Sequence, residues 1–294
     1  MGEKSPSGGR PPREAANHIG ARGVAWSQFR GEFLAPGRKR WLEHQMPAHD
    51  FRSPRLFIDA SLAAGATVTL DRDQSNYLGN VLRLAAGDTV LVFNGRDGEW
   101  RAQVSGRKRL DSLTVESVTR PQDRLPDLTY AFAPLKHARL DYMVQKAVEM
   151  GAAALQPVIT RFTQVARVNG ERMRANVVEA AEQCGILSLA AVHDPVPLDR
   201  FLSARASERL LVFCDEAAGV ADPVRTLAGA RDDSRGVDLL IGPEGGFAEE
   251  ERAVLLRQPR IMRLALGPRI LRADTAAVAA LALVQTALGD WSER

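Results

Sequence analysis

The chain reads VDLLIGPEGGFAEEE at residues 237–251 and RLALGPRILRADTAAVAALALVQTALG at residues 263–289. Each stretch runs from a short apolar segment through a Gly-Pro pair into a helical pattern. Four to six apolar residues bounded by glycine are typical of a buried parallel strand, because such strands lose the polar alternation of half-exposed ones. We therefore predict two fully buried strands, each followed by a loop at the carboxyl edge of a parallel sheet.

Both loops have the composition of a ligand cradle. Gly242, Gly245 and Gly246 let backbone N–H groups approach a ligand without a Cβ in the way, while Pro243 and Pro268 stiffen the chain. A lone GPEGG segment is more often a plain turn. Two loops that both contain a Gly-Pro pair after an apolar strand, within about thirty residues of each other, favour a binding site. Neither loop matches GxxxxGK[ST] or GxGxxG, which argues against a nucleoside triphosphate or NAD as the ligand.

The stretches from Leu240 to Phe247 and from Leu266 to Ala276 resemble the knot region of a known family. That family is the uridine-N3 methyltransferases of small-subunit ribosomal RNA (RsmE type), SPOUT-class enzymes that use S-adenosylmethionine. The resemblance implies an α/β domain with a deep trefoil knot, an exception to the rule that chains avoid knots. It also implies a cofactor that binds bent among the knot loops, 16S ribosomal RNA or the small ribosomal subunit as partner, and a homodimer.

The resemblance assigns roles to residues of both loops. S-adenosylmethionine is expected to contact Ile241, Gly242, Pro243, Glu244, Gly245, Gly246, Leu266, Gly267, Leu271, Thr275 and Ala276. Arg272 is the expected catalytic residue, because an anionic uridine N3 puts charge on the flanking carbonyl oxygens and a guanidinium can stabilise it. The alternative is that Arg272 caps Asp274 or pairs with a carboxylate across a dimer interface. No residue is assigned as general base.

Composition bounds the remaining function classes. The chain has 294 residues, 45% of them hydrophobic and 26% charged, which is enough for one large or two ordinary globular domains. It has no run of eighteen apolar residues, and Cys184 and Cys214 lack the spacing of a metal or redox motif. We expect a reduced cytoplasmic protein without a membrane span or a structural metal.

The amino-terminal segment differs from the rest in composition and charge. Residues 1–45 are rich in Gly, Pro, Arg and Ser and lack sustained periodicity, so we predict a disordered extension that ends near residue 52. They hold eight Lys and Arg against four Asp and Glu; since the whole chain carries +3, the remainder carries −1. An RNA-binding surface on the folded part must therefore be a local patch. The family resemblance favours Met46 as the start.

Residues 53–120 are predicted to form a small antiparallel β-barrel. The strand candidates are RLFI (55–58), TVTL (67–70), TVLVFNG (89–95), EWRAQVS (99–105) and SLTVESV (112–118), separated by glycine-containing turns. A helical stretch from Asp73 to Arg83 interrupts them. Its period predicts one apolar face formed by Tyr77, Leu78, Val81 and Leu82.

The same helical stretch carries a second resemblance. YLGNVLRL at residues 77–84 resembles the family's barrel motif, and the family's barrel is PUA-like, a fold that binds RNA. Arg83 thereby becomes a candidate phosphate contact, with Asn80 beside it. The alternative is a solvated helix edge, which is the usual setting of a surface arginine.

Residues 121–126 are predicted to be a linker and residues 127–294 the α/β knot domain, because strand and helix patterns alternate there. Lys136 follows the first strand of this domain, and Lys146 and Glu149 lie on the polar face of the next helix. Lys136 and Lys146 are candidate RNA contacts by family position. Lys146 and Glu149 would equally form an i,i+3 surface pair worth only tenths of a kcal/mol.

Some positions depart from the family pattern. The segment 182–185 matches the EQ(C/S)G motif, but Ile186 stands where the family usually has an arginine, which removes one expected contact. Ala248 replaces the usual Ser or Thr helix cap, although three glutamates follow it. The helix at residues 275–288 is apolar nearly all round, so it must be buried by its own sheet and by something else, for which a second subunit fits.

Three other functions remain open from the sequence. A ribose 2′-O-methyltransferase of the same class would share both glycine loops but lack YLGNVLRL. A non-catalytic RNA-binding protein would keep the barrel and lose S-adenosylmethionine binding. A dinucleotide-dependent enzyme is the least favoured, because its glycine fingerprint is absent.

Overall fold

The computed structural model describes residues 50, 52–165, 167–219, 222–231 and 235–291, which form two β-sheets and the helices that cover them. The expectations for residues 1–49, including the extension and the start at Met46, lie outside these residues.

The first sheet has five strands. They are β1 (Arg55–Phe57), β2 (Thr67–Thr69), β3 (Thr89–Phe93), β4 (Glu99–Ser105) and β5 (Ser112–Arg120), in the order β1-β3-β4-β5-β2. All five strand candidates are confirmed. The antiparallel prediction is wrong for β1, which pairs with β3 in parallel. The long segment between these two strands provides the crossover that a parallel pair requires.

The helical interruption in this sheet begins as α1 (Arg72–Asn76) and continues as a π-helical turn, Tyr77–Val81. Leu78 is fully buried, but Val81 is 60% exposed. The prediction that Val81 shares the buried face is wrong, because the wider π turn rotates the residues that follow it away from the α-helical period.

The second sheet has seven strands, all paired in parallel. Its strands are β6 (Leu128–Phe132), β7 (Ala154–Ile159), β8 (Ala191–Val192), β9 (Val196–Pro197), β10 (Leu210–Cys214), β11 (Val237–Ile241) and β12 (Ile261–Leu264). Its helices are α2 (His137–Glu149), α3 (Gly170–Cys184), α4 (Leu198–Ala204), α5 (Pro223–Ala228), α6 (Glu249–Leu255) and α7 (Ala273–Ala287). The order is β12-β10-β11-β6-β7-β8, with β9 beside the end of β7. The predicted α/β alternation is confirmed.

The two strands predicted to be buried differ. β11 lies inside the sheet and is buried at every position. β12 is an edge strand in which only Leu264 is buried, and it ends before Ala265. The prediction of a second fully buried strand at residues 263–266 is wrong, because β12 has a neighbour on one side only and its last apolar residues belong to the loop.

The carboxyl-terminal helix α7 packs against α2, α5 and β11. Ala277, Ala280, Leu281 and Val284 on one face are buried in the main core. Gln285 is also fully buried, and its side chain donates a hydrogen bond of 2.6 Å to the Met150 carbonyl at the end of α2. This satisfied polar contact holds α7 against α2.

The segment 182–185 joins the two sheets. Glu182 Oε1 accepts a 2.8 Å hydrogen bond from the Phe57 N–H, and Arg120 donates a 2.8 Å hydrogen bond to the Gly185 carbonyl. Ile186, the departure from the family pattern, is half-buried and packs against apolar clusters of both parts. These contacts fix the five-stranded sheet to the end of α3.

A buried charge network supports this junction. Glu99 is 2% exposed and pairs with Arg55 at 2.9 Å and with Arg120 at 2.8 Å. Burial would raise the pKa of Glu99, but the hydrogen bonds from Arg120, Thr119 and Arg55 outweigh it, and the pKa is lowered. Glu99 is therefore ionised at neutral pH and pairs with both buried guanidinium groups.

Candidate active site

A cavity of about 570 Å³ lies among the loops that follow β10, β11 and β12 at the carboxyl edge of the parallel sheet. We name residues 242–248 the first loop and residues 265–272 the second loop. The cavity volume is in the range of small-molecule sites, roughly 300–1,000 Å³. The expected cofactor residues that line it are Ile241, Gly242, Pro243, Glu244, Gly246, Leu266, Gly267, Leu271 and Ala276.

Two expected cofactor residues lie outside this lining. Gly245 is exposed, and a Cβ at this position would meet the side chain of Phe162 at 3.2 Å. Thr275 is exposed on the first turn of α7. The structure thus brings together residues from both loops, but it places Gly245 beside Phe162 rather than on the cavity wall.

The first loop is packed against its own chain. A Cβ on Gly242 would overlap the ring of Phe247, and that ring meets Phe213 edge-on with a centroid distance of 5.1 Å. Gly246 has φ +71°, a left-handed conformation that glycine adopts without cost. Close approach at Gly242 and positive φ at Gly246 are the two reasons that this loop requires glycine.

Glu251 replaces the missing cap at the start of α6. The residue at the cap position is Ala248, whose methyl group accepts no hydrogen bond, but Glu251 Oε2 accepts one of 3.0 Å from the Ala248 N–H. The other carboxylate oxygen accepts the Arg161 N–H at 2.8 Å. The glutamates noted in the sequence therefore provide half of a capping box.

The second loop is more open. Gly267 has φ +93°, and a Cβ there would meet no atom within 4 Å. Ile270 is 100% exposed. Arg272 is exposed at the start of α7 and is absent from the cavity lining, although its neighbours Leu271 and Ala273 belong to it.

Arg272 has no carboxylate within ion-pair distance in the described part of the chain. The Asp274 carboxylate accepts a 2.8 Å hydrogen bond from the Thr275 N–H instead. The guanidinium of Arg272 is thus exposed and unpaired among the described residues, on a residue that lies between two residues of the cavity lining.

Asp215, which was not among the residues named from the sequence, joins the two elements that flank the loops. Its carboxylate pairs with Arg252 at 3.0 Å, on the helix after the first loop, and with Arg263 at 2.7 Å, on the strand before the second loop. Burial would raise the pKa of Asp215, but hydrogen bonds from the two arginines outweigh it and hold the pKa below its ordinary value. The available signal was the segment DEAAG directly after an apolar strand.

Two further polar groups define the cavity chemistry. Burial raises the pKa of the Cys214 thiol to about 12, so this group is protonated at neutral pH and is a poor nucleophile. Glu244 pairs with Arg139 of α2 at 3.3 Å, with both side chains partly exposed.

The candidate RNA contacts on the five-stranded sheet are both exposed, as predicted. Asn80 donates a 2.7 Å hydrogen bond to Asn76 and borders a separate cleft. Arg83 has φ +58°, an uncommon conformation for a non-glycine residue. It is absent from the lining of that cleft.

The candidate RNA contacts on α2 differ from each other. Lys136 is exposed and immediately precedes the helix. Lys146 Nζ lies 2.6 Å from Glu149, and this hydrogen bond raises the pKa of Lys146. The i,i+3 pair considered in the sequence analysis is therefore present.

Two negative findings apply to the described residues. In these ranges no group of three or more His, Cys, Asp or Glu side chains could hold a metal ion. No helix in the same ranges is long and apolar enough to cross a membrane.

Comparison with known proteins identifies the family. A model of the RNA methyltransferase domain matches residues 122–285, and a model of the RNA methyltransferase PUA domain matches residues 70–114. Ribosomal RNA small subunit methyltransferase E of Rickettsia conorii is 30% identical over 234 residues, which cover 79% of this chain and 94% of that protein. The chain belongs to this methyltransferase E family. The resemblance read from the sequence is thereby confirmed.

Three other similar proteins, all methyltransferases, agree with this assignment. The Synechocystis protein is 32% identical over 238 residues, covering 80% of this chain and 78% of its own length. The Neisseria gonorrhoeae enzyme, solved with bound S-adenosylmethionine, has 29% identity and a TM-score of 0.70, with 82% of this chain and 100% of that chain covered. A Legionella pneumophila structure with the same cofactor has 29% identity and a TM-score of 0.71, with 81% and 99% covered.

Proposed function

We propose that this protein transfers the methyl group of S-adenosylmethionine to N3 of a uridine in 16S ribosomal RNA. The observation that carries the proposal is the cavity formed by both glycine-proline loops, in a chain of the methyltransferase E family. Two similar structures, those from Neisseria gonorrhoeae and Legionella pneumophila, were solved with this cofactor.

The residues of the cavity fit a cationic cofactor. Its lining includes the carboxylates of Glu216 and Glu249, which form no ion pair with a residue that the structure describes. Carboxylates that arginines do not neutralise favour a ligand that carries a sulfonium and an ammonium group. The glycines leave backbone groups accessible, which suits the adenine and the methionine portions.

The chain itself supplies binding and orientation. When bound, S-adenosylmethionine provides a methyl group on an electron-poor sulfur, and the acceptor must present an ionised N3. Holding the two reactants in line accounts for most of the acceleration that we expect. Arg272 stabilises negative charge on the uracil carbonyl oxygens, and Glu244 orients the cofactor's amino group or sugar. We assign no general base.

RNA recognition is proposed to involve both parts of the chain. Asn80 and Arg83 on the five-stranded sheet and Lys136 and Lys146 on α2 are the proposed contacts. Uridine N3 lies on the Watson–Crick edge, so the target base must be unpaired or displaced before it can react.

We infer that the α/β domain contains a trefoil knot. What supports it is the position of β12 at the sheet edge, next to β10, while α7 packs on α2 and β11 further inside. The short second loop must therefore carry the chain back across the loops of neighbouring strands.

We also propose a homodimer that acts in the cytoplasm. Leu266, Ala279 and Leu283 line an apolar groove beside α7, and Ile270 is fully exposed nearby in sequence. A second subunit would cover these apolar groups.

The direct test uses purified protein, S-adenosylmethionine and small ribosomal subunits from a strain that lacks the gene. Mass mapping should find one methylated uridine with the methyl group on the base. A methyl group on the ribose would show the 2′-O activity instead. Binding of RNA without binding of S-adenosylmethionine in calorimetry would indicate the non-catalytic RNA-binding protein. Cofactor binding without any methylation of the subunits would also contradict the proposal.

A further inference from the structure

A second cavity, of about 470 Å³, lies on the five-stranded sheet. Its walls are the helical segment at residues 72–80 and the turn between β4 and β5 at residues 106–110. We name this cavity the basic cleft. It shares no lining residue with the cavity of the glycine-proline loops.

The basic cleft has an uncompensated positive charge. Arg72, Arg107, Lys108 and Arg109 line it, and its lining contains no Asp or Glu. None of these four side chains forms an ion pair with a residue that the structure describes. Like charges gathered without counter-charges repel one another and oppose the compact state, so their arrangement here points to an anionic ligand.

The turn that carries three of these cations has a defined shape. A Cβ on Gly106 would overlap the carbonyl of Arg109, so the backbone closes tightly at this point. The Asp111 N–H donates a 3.0 Å hydrogen bond to the Ser105 carbonyl across the base of the turn. The fold therefore holds Arg107, Lys108 and Arg109 together on a short exposed loop.

Uncharged polar groups complete the opposite wall. Asn76 and Asn80 are exposed and hydrogen-bonded to each other at 2.7 Å. Ser75 also lines the cleft, is 8% exposed, and its hydroxyl has no hydrogen-bond partner among the described residues. Amides and hydroxyls of this kind contact phosphate, ribose and base edges in nucleic-acid complexes.

We propose that the basic cleft binds the phosphodiester backbone of the RNA substrate through Arg72 and the turn at residues 107–109. The proposal rests on the proposed function and extends it to a contact surface that shares no lining residue with the methyl-transfer cavity. Guanidinium groups bind phosphate oxygens in a bidentate manner, and a lysine adds a point charge. The folded part has a net charge near zero, so a local patch of this kind must provide the attraction for RNA.

The test compares two double variants for binding of 16S ribosomal RNA. Lys108→Ala/Arg109→Ala removes two cations from the cleft. The matched control Arg235→Ala/Arg257→Ala removes two exposed arginines near the start of β11 and after α6. Affinity is measured between 0.05 and 0.3 M salt, about the range over which phosphate contacts weaken.

The cleft variant should lose affinity by roughly fivefold for each phosphate contact at 0.1 M salt, because each contact adds about 0.7 to the salt slope. Its salt slope should fall, whereas its cofactor affinity and its rate at saturating RNA should equal those of the unchanged protein. The control should bind RNA as the unchanged protein does.

The outcomes separate the two proposals. Equal affinity and equal slope in the cleft variant would overturn the inference while leaving the methyltransferase proposal intact. Equal losses in both variants would also overturn it, because the effect would then come from total charge. If the protein without substitutions binds RNA but never methylates it, the proposed function is refuted. The comparison of RNA affinities between the two double variants would still test whether the basic cleft binds RNA.

Discussion

The first and second loops share a Gly-Pro pair after an apolar strand, but they differ in how tightly they pack against the rest of the chain. In the first loop, Gly242 has room only for a hydrogen because the Phe247 ring lies against it, and the ring packs on Phe213. In the second loop, Gly267 has open space around it and Ile270 is completely exposed. The difference follows from the strands, since β11 is inside the sheet and β12 is at its edge.

This comparison separates two tasks within one cavity. A loop that packs on its own core presents fixed backbone groups before any ligand arrives, which lowers the cost of binding. A loop that is open on one side is available to a second molecule. We therefore expect the first loop to determine cofactor affinity and the second loop to determine acceptor chemistry and subunit contact.

The largest expected effect comes from Gly242→Val. The added side chain must displace the Phe247 ring from its contact with Phe213, and overpacking of this kind costs about 1–3 kcal/mol or more. We expect loss of measurable S-adenosylmethionine binding by calorimetry, together with a lower free energy of unfolding.

The matched control for Gly242→Val is Gly65→Val, in the segment between β1 and β2 and outside the cavity. A Cβ at Gly65 meets no atom within 4 Å, so only the strain of positive φ remains, about 1–2 kcal/mol. Normal cofactor affinity in Gly242→Val would show that the first loop is a plain turn. Gly245→Val should cost less than Gly242→Val. A Cβ on Gly245 would lie 3.2 Å from the side chain of Phe162, a distance that a small shift relieves.

The next effect concerns Asp215, the carboxylate that joins the helix after the first loop to the strand before the second loop. Asp215→Asn leaves Arg252 and Arg263 without their counter-charge and should lower the free energy of unfolding by about 3 kcal/mol at neutral pH. Cofactor affinity should fall too, because α6 and β12, which hold one end of each loop, lose the ion pairs that join them through Asp215.

The pH dependence of stability tests whether the charge of Asp215 causes this loss. Its pKa in the folded protein is below the ordinary aspartate value of 3.8, so its contribution to stability is complete above that value. The contribution is lost as pH falls through the folded-state pKa. Denaturant titrations should therefore give the Asp215→Asn variant and the unsubstituted protein similar free energies of unfolding in acid. A difference in unfolding free energy that persists at low pH would assign the effect to packing rather than to charge.

The sequence could predict what depends on local pattern. The strands 55–57, 89–93 and 99–105, the helix at 137–149 and the loops at the carboxyl edge all follow from apolar period and turn residues. The family motifs then connected the loops to a cofactor, and the cavity includes most of the residues named for it.

What the sequence could not predict depends on neighbours distant along the chain. Nothing local to residues 261–266 marks an edge strand, which is a property of the strand order. Val81 was assigned to the wrong face because a π-helical turn contains one residue more than an α-helical turn. The spacing of apolar residues in the sequence does not reveal this single extra residue. Asp215 acquires its role only when Arg252 and Arg263 meet it in space.

The third prediction tests the chemical role of the second loop through Arg272→Lys. Lysine keeps the charge but loses the planar fork, so the methylation rate should fall by on the order of 10²-fold. RNA and cofactor affinities should change much less, because the lost interaction is made mainly in the transition state. Higher pH should partly restore the rate, since more uridine ionises unaided.

A structural role for Arg272 makes a different prediction. If its guanidinium pairs with a carboxylate across a dimer interface, Arg272→Lys should dissociate the dimer and lose activity in proportion. Equilibrium sedimentation and single-turnover rates on one sample distinguish the two roles. An intact dimer with a slow single turnover would support the catalytic role, and dissociation with activity lost in proportion to the dimer fraction would refute it.

The smallest expected effect comes from Ile270→Ser, which tests whether the exposed second loop contacts a second subunit. In one chain this side chain is fully exposed, so the unfolding free energy of the monomer should not change. Burial of an isoleucine in a dimer interface is worth about 1.5–3 kcal/mol, so the dimer dissociation constant should rise by roughly tenfold or more. The control is Val118→Ser on the five-stranded sheet, whose side chain is 55% exposed. If sedimentation gives equal dissociation constants for both variants, Ile270 does not contact a second subunit, and the openness of the second loop would then serve the RNA alone.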